Sequence, residues 1–330
     1  MTSRSEPADL SGAHRGPAHL GGAPRVPAPP RLALDLTRRR APSEIIVQRL
    51  FQVFAFLSIL TTAGIILVLF GESLVFFQEV PLSAFFGDTQ WTPLFHDPHF
   101  GIWPLLCGTL LTTVIALTFA VPCGILAAVY LSELASPRTR AWAKPALEVL
   151  AGVPTVVFGY FALSIVTPSL QSVIPGLSGA NALSAGLVMG LMILPIIASI
   201  SEDAIYAVPQ SFREGAAALG GTKVRTIWRV VLPGASSGIT AAIILGVSRA
   251  VGETMIVAIA AGLEPRMTID PREPVETMTA YIVQVSLGDT PAGSLAFQTI
   301  FAVGLVLFLM TFGFNALSHR LRKKIQRGTL

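Results

Sequence analysis

The sequence predicts an all-α polytopic membrane protein built on six transmembrane helices. Composition is the first reason: of 330 residues, 52% are hydrophobic and only 13% charged, with a mean hydropathy of +0.66, where a soluble domain carries about 25% charged residues. Spacing is the second. Apolar stretches recur at 50–71, 100–132, 149–166, 181–201, 236–262 and 295–317, each near the roughly 20 apolar residues that cross a bilayer. Sidedness is the third. Of 23 Lys and Arg, 8 lie in residues 1–49, 3 in 133–147, 4 in 202–233 and 5 in 318–330, whereas the alternate loops hold only Arg266 and Arg272. By the positive-inside rule both termini are expected in the cytoplasm. Topology explains these charges, so no nucleic-acid partner is expected.

Residues 1–44 are rich in Pro, Ala, Gly and Arg and hold no apolar run, a composition that cannot bury a core. They are expected to form a disordered cytoplasmic tail, with 45–330 as the permeation domain. The first span is too long and too late for the apolar core of a cleavable signal peptide and reads as an uncleaved anchor. It leads into an outside loop, 72–103, with four acidic residues, no Lys or Arg, and the elements Phe85-Phe86-Gly87, Trp91-Thr92-Pro93 and Phe100-Gly101-Ile102-Trp103-Pro104. The ordinary reading is an interfacial aromatic belt; the sharper one is a docking surface for an external partner. Cys107 and Cys123 share the second span, about 24 Å apart along a helix, and cannot pair with each other.

Pro122, Pro154 and Pro195 fall in spans two, three and four, where they can kink a helix. The 53 uncharged residues 149–201 divide at Thr167-Pro168, Pro175-Gly176 and Gly179 into two spans. The fifth span holds the most costly feature. Arg249 and Glu253 are the only charges in the 30 residues 234–263, and an arginine at the centre of a span is unfavourable by about 2.5–3.5 kcal/mol. Their four-residue spacing places both on one face of a continuous helix, where they are expected to neutralise each other. Gly238, Ala242 and Gly246 form a stripe leading to them, so the pair is expected at a helix interface, one that a second subunit could share. The outside loop 263–294 and the last span complete the domain.

Between spans four and five, residues 202–233 read as a helix start at Pro209-Gln210-Ser211, a short Ala-rich helix, a Gly220-Gly221 break and a basic amphipathic helix ending at Pro233. This segment resembles the EAA loop of bacterial ABC-importer permeases: Glu214, Ala216, Gly220, Leu232 and Pro233 match in register, Gly215 stands for the first Ala and Val230 for the Ile. The resemblance implies the type I importer (MetI-like) permease fold and a cytoplasmic coupling loop that inserts into a separate ATP-binding subunit. The chain carries no ATPase of its own, because Gly221 occupies the position where a phosphate-binding loop needs Lys, and Lys223 comes two residues late. No zinc-protease or serine-hydrolase motif is present, and the five histidines lie outside the spans. An enzyme is therefore not expected, nor a catalytic or metal-binding residue.

Within that family, Ser248-Arg249-Ala250-Val251-Gly252-Glu253-Thr254 is similar to the arginine–glutamate signature of the phosphate-specific permeases, a pair of related subunits called PstC and PstA. Arginine suits phosphate because its planar fork binds the anion bidentately and stays ionised. The long first outside loop, Pro104-Leu105-Leu106-Cys107-Gly108-Thr109-Leu110 and 148–159 are similar to the PstC type. The resemblance covers about residues 45–325. It implies a substrate pathway containing Arg249, Glu253 and Thr254, and coupling through Glu214, Gly215, Ala216, Gly220, Leu232 and Pro233. It also implies partners: a PstA-type permease, a PstB-type dimer that uses ATP and Mg, a PstS-type extracytoplasmic phosphate-binding protein and membrane lipid, with inorganic phosphate as substrate. No cofactor would bind this chain itself. Two alternatives stay open: the PstA-type subunit, or a stand-alone secondary anion transporter or channel, which would typically show inverted repeats.

Overall fold

The computed structural model describes residues 42–328, so positions 1–41 of the expected tail lie outside the described residues. The helical elements follow in order: α1 (Pro42–Glu79), α2 (Leu82–Gly87), α3 (Trp103–Val129), α4 (Pro137–Ala151), α5 (Thr155–Phe161), α6 (Thr167–Gln171) and α7 (Ala182–Tyr206). After them come α8 (Gln210–Ala218), α9 (Lys223–Thr226), α10 (Leu232–Gly234), α11 (Ser236–Val251), α12 (Met255–Ala260), α13 (Met278–Leu287) and α14 (Leu295–Gly328). Single π turns extend α3 over Tyr130–Leu134, join α5 to α6 over Ala162–Val166, and join α9 to α10 over Ile227–Val231. No strand occurs among the described residues, only two isolated bridges.

Four of these helices are long and apolar enough to cross a membrane, at 46–79, 103–134, 182–206 and 295–317. The other two expected spans are not single rods. The pair 137–151 and 155–171 is bent by 89°, and the pair 223–234 and 236–251 by 70°. Proline explains the first bend: Pro154 is extended (φ −58°, ψ 134°), lacks an N–H, and disfavours helix at the residue before it. Pro122 and Pro195 sit inside α3 and α7 without ending them, and Pro168 lies in the first turn of α6, so Thr167-Pro168 does not divide the chain. The division falls at Gly176 (φ 77°) and the loop before α7. The first helix also runs eight residues beyond the expected end at 71 and begins at Pro42, inside the expected tail.

The chain divides into two units after Ser58, and in the described part of the first Ile46, Phe51 and Phe54 are exposed. Within 59–328, α7 is the most buried span and packs chiefly against α3 and α11. Small residues make that approach possible. A Cβ on Gly190 would lie 2.7 Å from the Ala116 carbonyl oxygen, one on Gly186 2.7 Å from Ile115, and one on Gly246 2.9 Å from Ile197. Around these contacts Ala116, Ala120, Ala185, Met189, Ile193 and Ile197 form the main core, joined by Ile256 and Val257 of α12. The stripe Gly238, Ala242, Gly246 therefore faces α7 of the same chain: Gly238 abuts Ala204, and the next residue in the row is the buried Ala250. Arg249 lies beside the stripe, exposed.

The aromatic segment is neither a simple belt nor an open docking face. Phe76, Phe85 and Trp91 are almost fully buried and pack edge-to-face with Phe77, Phe100 and Tyr281 at centroid distances of 5.1–6.2 Å. Tyr281 completes the cluster through a 2.6 Å hydrogen bond with Thr299. Only the rim, Phe86, Phe95 and Trp103, stays exposed. An isolated antiparallel bridge between Trp91 and Phe100 closes the loop over this cluster. Replacing Phe85 with Ala is expected to destabilise the protein by about 3–5 kcal/mol, read by unfolding in mixed micelles.

The same loop carries an ion pair. His99 Nδ1 lies 2.6 Å from Asp88 Oδ2, with Asp97 3.7 Å from the other ring nitrogen. Backbone donation from Gln90 and the contact with His99 hold Asp88 below its ordinary 3.8, while the Asp88 contact raises His99 above 6.5. The histidine contribution is complete below 6.5 and fades as pH rises through its raised value; the aspartate contribution is complete above 3.8 and fades as pH falls through its lowered value. Amide hydrogen exchange over 88–101, corrected for intrinsic rates, is expected to be slowest between pH 3.8 and 6.5 and faster on both sides.

Candidate functional site

The predicted continuous fifth span ends in its middle. α11 stops at Val251; Gly252 takes a non-helical conformation (φ −90°, ψ 2°), and α12 begins only at Met255. Arg249 and Glu253 therefore lie on different sides of a break, and the expected i, i+4 ion pair does not form. Glu253 is buried, and its Oε1 accepts from the backbone N–H groups of Met255 (3.1 Å) and Ile256 (3.4 Å), capping α12. Its carbonyl accepts a 2.6 Å hydrogen bond from Thr279 on α13. Thr254 is half-buried, and its hydroxyl turns back to the Gly252 carbonyl at 3.4 Å. Arg249 makes none of the ion pairs found among the described residues.

The break is held from three sides. Met278 N–H donates to the Thr109 hydroxyl on α3 at 3.0 Å, and a Cβ on Gly108 would strike the Glu276 carbonyl at 2.2 Å. Gly159 on α5 lets the Met255 carbonyl and Ile259 approach, at 3.1 and 2.9 Å from where its Cβ would stand. Next to it Ser248 bonds Asn315 of α14 at 3.1 Å. Thr109, Gly159 and Thr279 gave no sequence signal as members of this site, because each meets it from a separate helix.

The second cluster lies in the segment 202–233, where helix positions match expectation. α8 runs over 210–218, and Gly220 takes φ 76°. Its N–H reaches the Ala217 carbonyl and that of Gly221 the Ala216 carbonyl, both at 2.9 Å. This double closure is the Schellman pattern, which requires a left-handed residue and so favours glycine. Glu214, Gly215 and Pro233 are exposed, Ala216 and Leu232 half-buried, and Leu219 projects at 91% exposure. Arg225, Arg229 and Phe212 line the adjoining groove.

Residues 120–323 match the model of a protein family described as binding-protein-dependent transport system inner membrane component. The chain belongs to this family. It is thus a multi-pass membrane permease of a binding-protein-dependent transport system. Among relatives, it is 31% identical over 319 residues to the phosphate transport system permease protein PstC of Mesorhizobium japonicum, covering 91% of this chain and 96% of that one. It is 34% identical over 243 residues to the probable ABC transporter permease protein YqgH of Bacillus subtilis, covering 73% and 78%. Of solved structures, a chain of a bacterial alginate ABC transporter in complex with its alginate pentasaccharide-bound periplasmic protein superposes with a TM-score of 0.57 at 18% identity, covering 84% of this chain and 97% of that one. A chain of the inward-facing MetNI methionine ABC transporter gives 0.51 at 16%, covering 68% and 94%. These likenesses support the type I importer permease fold.

Glu253 is expected to act as a cap through an oxygen rather than through its charge. Glu253→Gln should keep the stability of the parent, whereas Glu253→Ala should lose about 1 kcal/mol in a micelle unfolding titration.

Proposed function

We propose that this chain is the PstC-type permease subunit of an ATP-driven phosphate importer. It provides half of the translocation pathway, and Arg249 is the phosphate-facing cation. The observation that carries this reading is an arginine in mid-span, exposed and without a carboxylate partner, one turn before a broken helix. A guanidinium facing hydrocarbon is unfavourable by about 2.5–3.5 kcal/mol, so Arg249 faces a water-filled path, an anion or a neighbouring subunit. Arginine without an internal counter-charge is free to take an oxyanion bidentately. The break beside it aims polar backbone toward the same level, as non-helical backbone at membrane depth does where it lines a cavity. Glu253 and Thr254 contribute by shaping that break. The names of the relatives supply the substrate class.

In this reading both termini are cytoplasmic, and 72–103 and 263–294 face outside. The exposed surface of Glu214, Gly215, Ala216 and Gly220, with Leu232 and Pro233 at its base, seats in a PstB-type ATPase, which binds ATP and Mg; this chain binds no cofactor. A PstA-type permease completes the pathway, and a PstS-type binding protein delivers inorganic phosphate. Passage requires weak binding at Arg249, since a pathway must release what it takes.

Arg249→Ala is expected to abolish ATP-driven uptake of labelled phosphate in reconstituted vesicles while the complex still co-purifies; uptake near the parent level would remove the residue from the pathway. Excess sulfate or molybdate should leave phosphate uptake unchanged. Phosphate movement by the purified chain alone, without ATPase subunits, would favour a stand-alone transporter instead.

A further inference from the structure

The helix α8 buries none of its residues, so apolar packing does not hold it to the spans. Among the described residues, every side-chain hydrogen bond between α8 and the rest of the chain is made by one residue, Arg213. Its Nε and Nη2 donate to Glu133 Oε1 at 3.0 and 2.7 Å, Nη2 also reaches the Ile205 carbonyl at 2.9 Å, and Nη1 donates to the Val208 carbonyl. Glu133 lies in the π turn that ends the α3 span, Ile205 in the last turn of α7 and Val208 just beyond its cap. One guanidinium thus joins α8 to the ends of the two most intimately packed spans. Around it, the space between α8 and the body is an open cleft of about 780 Å³ lined by Ser132, Tyr206, Gln210 and Lys223.

We infer that Arg213 is the positioning residue through which force on α8 reaches the spans, a strut between the coupling helix and the paired ends of α3 and α7. The inference rests on the coupling role proposed for 202–233. Three features suit the part. The two side chains are only 16% and 10% exposed, so salt screens them weakly. The fork geometry engages acceptors on two elements at once, which a lysine point charge cannot reproduce. The carbonyls it takes lie at the very end of α7, Ile205 in its last turn and Val208 just past its cap. A pull on α8 is then delivered to α3 and α7 together rather than absorbed by a loose loop.

The test compares Arg213→Met, Arg213→Lys and Glu133→Gln with the parent in the complete reconstituted complex, measuring labelled phosphate uptake and ATP hydrolysis in the same vesicles. Basal hydrolysis and assembly should persist, while phosphate moved per ATP falls about tenfold in Arg213→Met and less in Arg213→Lys and Glu133→Gln. A ratio within twofold of the parent in assembled Arg213→Met overturns the strut; if that variant does not assemble, an unchanged ratio in Glu133→Gln overturns it. A second readout is independent of the substrate: amide exchange over 210–218 in the purified full chain should quicken at least tenfold in Arg213→Met and Glu133→Gln, and unchanged exchange also overturns the proposal. Failure of the parent complex to take up phosphate with ATP would instead remove the functional reading, while the exchange measurement still decides whether Arg213 anchors α8.

Discussion

Everything in this molecule depends on how closely α3 and α11 approach α7. Glycines at 186, 190 and 246 leave no room for a side chain between the helices, and in a bilayer such contact is the main source of association, because lipid chains compete equally for apolar side chains. The α7 span becomes an axis with α3 and α11 fixed to it. Its end at 202–208 is gripped by polar residues as well. Glu202, nearly fully buried, takes Arg140 and Lys144 from α4, and Arg213 takes the carbonyls beyond. Removing its cations would strand the buried Glu202 carboxylate, which costs more than the intact cluster contributes.

Around that axis the chain is bent or broken at places that other helices support. At Gly252–Thr254 the polar groups freed by ending a helix are taken up by Glu253, Thr279 and the start of α12. A broken helix is tolerated at membrane depth only when such partners exist. The Pro154 bend brings α5 against α12 through Gly159, so the two interruptions support each other. An inflexible axis with supported breaks suits a subunit that must transmit movement without losing its packing.

Much of the fold was legible. Helix positions in 202–233 agreed closely, because Pro209, the alanine run and Gly220 act through local backbone preferences that tertiary contacts do not override. Apolar stretches located the four single-helix spans. Hydropathy measures length and not direction: 149–166 is apolar throughout and 236–262 nearly so, yet the first, where a kink at Pro154 is expected, holds a right-angle turn and the second a break. Partners of the candidate site escaped for a different reason. Glu133 and Arg213 are 80 residues apart, and Arg140 and Glu202 are 62 apart; no sequence period relates them.

The sequence by itself determined that the chain lives in a membrane, where its apolar stretches lie, and that a charged pair lies among apolar residues. Those are consequences of composition and local geometry. Only the tertiary structure decided what the pair does. The four-residue spacing implied mutual neutralisation on a continuous helix, but Gly252 ends that helix once α13 and α5 offer the freed backbone other partners. Glu253 turns inward as a cap, and Arg249 keeps its charge uncommitted. Spacing fixes which residues could meet on an ideal helix; packing from distant segments decides whether the helix continues.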